Sequence, residues 1–225
     1  MLYPSTNIEI TPAYRLPLAT LGLLYVACGA FAGWRRWNEP VAAFFLYAAA
    51  SGLHWGGSIG VDDGADASIL AFYVASSAFA DGALLHFALV VFRPGPIARA
   101  AKSAGYAPAV AAVCVVPIAA MLPYQALLTF LSLALALGSL VSLFAGTVLV
   151  VRFVREPVAR VFLWPMVLIG LPGAGVALVG GTGALPGSSD AWHLLLAVLP
   201  VCTAYVLRVG GPSEPSGGSQ VAVRS

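Results

Sequence analysis

ASILAFYVASSAFADGALLHFALVVF, residues 67–92, is an apolar run long enough to cross a bilayer, which takes roughly 20 such residues. It nevertheless carries Asp81 near its middle and His86 a turn and a half later. Ionisable groups are costly in hydrocarbon and normally face a bundle interior. The run leaves through Arg93, Pro94, Gly95 and Pro96, a basic exit with two helix-breaking prolines. We read it as the central helix of a membrane bundle, polar face inward.

Composition supports that class. Of the 225 residues, 60% are hydrophobic and 9% charged, against about 25% charged in ordinary soluble domains. A chain of this length makes one domain. Cys28, Cys114 and Cys202 all fall inside apolar runs and read as small buried hydrophobes rather than as a disulfide framework. The opening MLYPSTNIEI lacks a basic region and an immediate apolar core, so the first hydrophobic segment is expected to act as the insertion signal.

Working outward, seven spans are expected. Residues 1–15 form an exposed tail, and 16–208 form the membrane domain. The spans are Leu16–Trp34, Val41–Gly60, the quoted run, Ala107–Leu122, Ala126–Val150, Val161–Gly180 and Ala191–Leu207. An acidic turn, Val61–Asp66, precedes the third span, and a basic connection, Arg93–Tyr106, follows it. Residues 209–225, rich in Gly, Ser and Pro, are expected to be a disordered cytoplasmic tail. Arg35, Arg36, Arg93, Arg99, Lys102, Arg152, Arg155, Arg160, Arg208 and Arg224 then share one side, and Arg15 lies on the other with the acidic turn. The positive-inside rule places the N-terminus outside and the C-terminus in the cytoplasm. The fold class is therefore an all-α, multi-pass seven-helix bundle. Gly29 and Gly33 suit close contact between helices, while Pro165, Pro172 and Pro200 are expected to bend spans six and seven.

The polar residues inside the spans are the candidate site. At about 1.5 Å per residue, His54 lies roughly 20 Å and Asp81 roughly 16 Å above the cytoplasmic ends of their spans. A His54–Asp81 pair is expected, with Ser51 and Ser77 in the same polar core and Ser58 and Ser76 as further partners. Such a pair is either a structural hydrogen bond between helices or a ligand- or proton-sensing group. His86, near the cytoplasmic face, and His193, beside Asp190 and Trp192, are secondary candidates. No catalytic residue, cofactor or metal is implied by the main reading.

Several chemistries are excluded. The single lysine is Lys102 in a loop, so span seven offers no retinal Schiff base. No phosphate-binding loop, HExxH, CxxC or GxSxG motif occurs in a usable context. His54 and His86 differ by about two helical turns, a poor match for haem held between helices. Nothing supports nucleic-acid binding.

Three stretches, LLHFALVVFRPGP, RFVREPVARVFLWPMVLIG and LLLAVLPVCTAYVLR, carry a resemblance. Together, over about Ala83–Arg208, they resemble the multi-helix membrane sensor region at the N-terminus of some bacterial histidine kinases and related signalling proteins. In that family the third helix often closes with a His-Phe-x-Leu-x-Phe-Pro type run, and the last ends in an Ala-Tyr-x-x-Arg type pattern. Here Arg93 separates Phe92 from Pro94, and a short tail follows Arg208 where the family carries an output domain. The resemblance thus implies a free-standing sensor whose output partner, such as a kinase, is a separate chain. Ser51, His54, Asp81 and His193 also loosely resemble the set used by seven-helix zinc hydrolases related to alkaline ceramidases, which would make His54, Asp81 and His193 metal ligands. That family's second seventh-helix histidine is replaced here by Ala197.

The expected function is a non-enzymatic sensor or scaffolding module of a bacterial plasma (inner) membrane. It would respond to a small ligand, pH or membrane state, and would act through a separate partner or as a homo-oligomer in the lipid bilayer. A zinc-dependent hydrolase and a small transporter or channel subunit are the alternatives.

Overall fold

The computed structural model describes residues 12–34, 37–57, 67–91, 96–181 and 189–209. The acidic turn Val61–Asp66 and the tail beyond Val209 lie outside these residues, as does most of the N-terminal tail. Among the described residues every element is helical: α1 Pro12–Gly33, α2 Glu39–Gly57, α3 Ala67–Val90, α4 Pro96–Gly105, α5 Ala107–Val115, α6 Tyr124–Arg155, α7 Pro157–Pro165, α8 Leu171–Gly181, α9 Ser189–His193 and α10 Val198–Val209. Short 3-10 or π turns at Val116–Met121, Met166–Gly170 and Leu194–Ala197 join several of them end to end. Among the described residues these make seven rods, six of them containing a helix long and apolar enough to cross a membrane.

Several boundaries differ from the sequence expectation. Helix α6 runs on to Arg155, past the expected Val150, and α7 opens at Pro157, before the expected Val161. Two others have a clear local cause. Helix α1 opens at Pro12, inside the expected tail, because proline suits a first helical turn, where its missing N–H costs nothing. The expected basic connection is largely α4, whose PIARAAKSAG is alanine-rich and helix-forming. It runs on into α5 as one rod.

The central element is α3. In its most apolar window 61% of residues are buried inside the protein, against 22% to 39% in the other five candidate spans. Contacts give the rods their directions. His54 meets Tyr73 and Phe44 meets Phe87, so α2 runs antiparallel to α3. Asp81 meets Ser142 and Leu89 meets Arg152, a near-constant offset that makes α6 parallel to α3. Tyr25 meets Leu196 and Phe31 meets Arg208, so the last rod runs parallel to α1.

Small residues set the closest approach, between α1 and α2. A Cβ on Gly22 would lie 2.7 Å from the Gly52 carbonyl oxygen and 2.9 Å from the Gly56 nitrogen. Such backbone contact is open only to glycine. Gly29 packs on Ala48 and Phe45 of α2, whereas Gly33 faces Trp37 of the connecting loop. Prolines set the irregularities. The 3-10 turn Val116–Met121 contains Pro117, the π turn Met166–Gly170 lies between Pro165 and Pro172, and the 3-10 turn Leu194–Ala197 precedes Pro200. In each case the missing N–H and the ring clash break the regular ladder.

Two apolar cores result. One joins α3 residues Leu70–Ala75 to Ala112, Ala119 and the first turns of α6. The other joins α3 from Ala80 onward to α1, α2, α7, the π turn, α10, and Ala145 and Leu149 of α6. Asp81 sits near their boundary.

Candidate functional site

The site starts from the local sequence around Asp81. Ala78, Ala80, Gly82 and Ala83 flank it, all small and all buried, so α6 comes close to α3. On α6, Gly138 and Ser142 are four residues apart and share a face. The Ser142 hydroxyl donates to Asp81 Oδ1. A Cβ on Gly138 would stand 2.5 Å from Asp81 Oδ2 and 3.5 Å from the Ala78 Cα, so its absence makes the notch that holds the carboxyl.

The antiparallel α2–α3 register brings Tyr47 of α2 to the level of Asp81, with buried Ser51 one turn away on the same face. The Tyr47 hydroxyl donates to Tyr25 Oη at 3.4 Å, and the two rings meet edge to face at 5.7 Å. The Tyr25 hydroxyl in turn donates to the Leu196 carbonyl of the last rod at 3.0 Å. That carbonyl precedes Pro200 by four residues, so the regular helical donor for it does not exist; it also receives the Val198 N–H. Polar groups thus run across the bundle from α6 through α3, α2 and α1 to the last rod.

The expected His54–Asp81 pair does not form. His54 Nδ1 lies 3.2 Å from the Tyr73 carbonyl, which accepts, so Nδ1 carries the proton. Tyr73 precedes Asp81 by eight residues, or roughly 12 Å of helix. The α2–α3 register is the physical reason, because it sets residues 47–50 rather than 54 opposite Asp81. Ser51 is buried on the Tyr47 side of α2, one turn from it. Ser76 donates to the Tyr73 carbonyl at 2.8 Å, while Ser77 is half-buried on a different face. Ser58 lies outside the described residues.

His54 belongs instead to an aromatic stack at the far end of α2. It lies over Tyr73 at 3.9 Å and against Trp55 at 4.8 Å, and Trp55 meets His193 at 5.3 Å. The two histidines therefore share one end of the bundle while Asp81 lies two turns deeper, so His54, Asp81 and His193 do not assemble as a ligand set. Among the described residues no group of three or more His, Cys, Asp or Glu side chains is placed to hold a metal.

His86 has a defined setting. Its Nε2 lies 3.3 Å from Glu39 Oε1, and its Nδ1 3.2 Å from the Tyr106 hydroxyl. Lys102 of α4 also donates to Glu39. Glu39, at the rim where α2 begins, is held below the ordinary glutamate range by the Lys102 hydrogen bond and then by His86. This clamp ties the α1–α2 connection to α3 and α4. Nearby arginines cap helix ends: Arg152 donates to the Leu89 carbonyl at 3.1 Å, and Arg160 to that of Val154 at 2.8 Å. Each places a cation at a helix C-terminus.

Comparison with protein-family models, curated proteins and solved structures finds no match to this chain. Sequence reasoning missed Tyr25, Tyr47, Gly138, Ser142 and Glu39. A signal existed for the tyrosines: their hydroxyls normally reach a wet interface, and neither residue is near enough to a helix end to do so.

Proposed function

We propose that the chain is a seven-span sensor or scaffolding module of a bacterial inner membrane, with its N-terminus outside and its C-terminus in the cytoplasm. The single observation that carries this reading is the polar layer in which Ser142 bonds Asp81 and, at the same level by the α2–α3 register, Tyr47 bonds Tyr25 and Tyr25 bonds Leu196. Its groups join rods to one another rather than converging on a substrate, so a change at one is felt by the others.

The seventh crossing is α2, the rod missing from the apolar candidates. Glu39, Ser51, His54 and its glycines lower its hydropathy. Packed between α1 and α3 along its length, it presents less surface to lipid and needs less apolar character. Alternating rod directions agree with seven crossings, and the basic residues then gather on the cytoplasmic side. Output passes through the basic loops and Arg208, which lies 5.0 Å over the Phe31 ring, to a separate partner such as a kinase.

The test uses reconstituted protein with a spin label on Tyr205→Cys, an exposed position of the last rod, in a chain whose three native cysteines are replaced. A module of this kind changes label mobility when Asp81→Asn or Tyr25→Phe is introduced, and its liposomes hold a proton gradient as long as protein-free ones. Flux above that control would replace sensing with transport. A label indifferent to both substitutions would remove the sensor reading.

A further inference from the structure

We propose that Asp81 is a reversible proton-binding site inside the bundle, and that the tyrosine pair Tyr47–Tyr25 reads its protonation state on behalf of the last rod. This rests on the sensor reading above and names the signal as the proton.

The geometry suits a proton. The carboxyl occupies a notch with no space to spare, since Gly138 lacks the Cβ that would strike Oδ2. Its neighbours are hydroxyls, which can donate to a carboxylate or accept from an acid. The titratable and charged groups around it are few. From α2 the register brings Tyr47 to its level, with Tyr25 of α1 behind it. From α6 there is the Ser142 hydroxyl, while Arg152 is engaged with the Leu89 carbonyl. Between α4 and α5, Tyr106 turns to Phe79 and His86. On α3 itself, His86 is engaged with Glu39. No lysine or arginine ion pair holds Asp81 in the charged state among the described residues.

The step is a simple proton exchange with water. When Asp81 carries its proton, the Tyr47 O–H stays on Tyr25, whose own O–H is strengthened as a donor to Leu196 by that cooperative link. When the proton leaves, the carboxylate draws the Tyr47 O–H to itself, because a charge-assisted hydrogen bond is about twice as strong as a neutral one. Tyr25 loses its donor and its hold on the 3-10 turn before Pro200 weakens. The last rod loosens.

The experiment is a pH titration of the intact chain in lipid nanodiscs, read by the infrared carboxylic-acid band and by a spin label on Tyr205→Cys. Expected are an acid band that fades as pH rises and is absent in Asp81→Asn, and label mobility rising over the same range. Tyr47→Phe keeps the band and loses the label response. Ser142→Ala moves the midpoint by about one pH unit, the size of one hydrogen bond to a charged group. A band that is absent or indifferent to pH overturns the proposal. Titration without any label response overturns the tyrosine link. Loss of the band on exchanging choline for sodium at constant pH shows a cation site instead, and also overturns it. Proton flux through liposomes with the band intact would sink the sensor reading while leaving the proton site standing.

Discussion

Removing the Tyr25 hydroxyl tests whether the last rod is held by a side chain in place of a backbone donor. Tyr25→Phe keeps the ring and its edge-to-face contact with Tyr47, and deletes the 3.0 Å bond to the Leu196 carbonyl. Leaving a buried acceptor unsatisfied costs about 1–3 kcal/mol in soluble proteins, but the Leu196 carbonyl is part-buried and keeps the Val198 N–H, and hydrogen bonds between membrane helices average about 0.6 and reach about 1.7 kcal/mol. We expect about 1.5 kcal/mol, near the upper end, because Pro200 cannot supply the helical N–H. Pro200→Ala restores that donor, so in its background the same substitution should cost about 0.5 kcal/mol. The coupling of about 1 kcal/mol would be measured by a double-mutant cycle of reversible unfolding in mixed detergent micelles. Equal costs in the two backgrounds, within about 0.3 kcal/mol, would refute the substitution of a side-chain donor for a backbone one.

Three further outcomes follow from named contacts. Gly22→Ala forces a methyl against backbone of α2 and should destabilise by about 1–3 kcal/mol, whereas Gly56→Ala, with open space at its Cβ, should stabilise by up to about 1 kcal/mol through helix propensity; equal effects in micelle unfolding would disprove the close approach. Gly138→Ala should destabilise by about 1 kcal/mol, its methyl crowding Asp81 by more than the helix gains, and in the Asp81→Ala background that penalty should vanish. Glu39 is lowered in the folded state, so the clamp's contribution is present above the ordinary value of 4.5 and is lost as pH falls through the lower folded value. Glu39→Gln should therefore flatten the acid limb of stability, read by unfolding at stepped pH, and an unchanged limb would show that the clamp is too solvated to matter.

The membrane class and the place of α3 were legible because they depend on run length and on one acidic residue in an apolar helix. The partners of that residue were not. Depth estimates placed His54 within a few ångströms of Asp81, yet register sets Tyr47 at that level, and the register of α2 on α3 is fixed by contacts such as His54 on Tyr73 and Phe44 on Phe87 that no periodicity reveals. Ser142 was equally hidden. Ser139 and Thr147 on the same helix spend their hydroxyls on their own backbone, at Leu135 and Leu143, and sequence does not say which hydroxyl faces α3. Glu39 was overlooked because a charge at a span end reads as solvated, whereas α4, taken for a loop, brings Lys102 to it as a helix.

The ties between rods fall into two kinds with different consequences. His54 to Tyr73, Tyr25 to Leu196 and Arg152 to Leu89 each set a side chain on a backbone carbonyl. A carbonyl in a helix is fixed by the chain, so these bonds fix orientation and have a single good geometry. Ser142 to Asp81 and Tyr47 to Tyr25 join side chain to side chain, and hydroxyls can turn to a new partner without moving any backbone. Exchange of partners at low energetic cost is what a signal needs, and a rigid readout is what makes the exchange felt elsewhere. The two exchangeable bonds stand at one level of the bundle, and the second of them leads through Tyr25 to the fixed carbonyl of Leu196. Tyr47→Phe should therefore leave the bundle's fold intact while separating Asp81 from the last rod, whereas Tyr25→Phe weakens the rod itself.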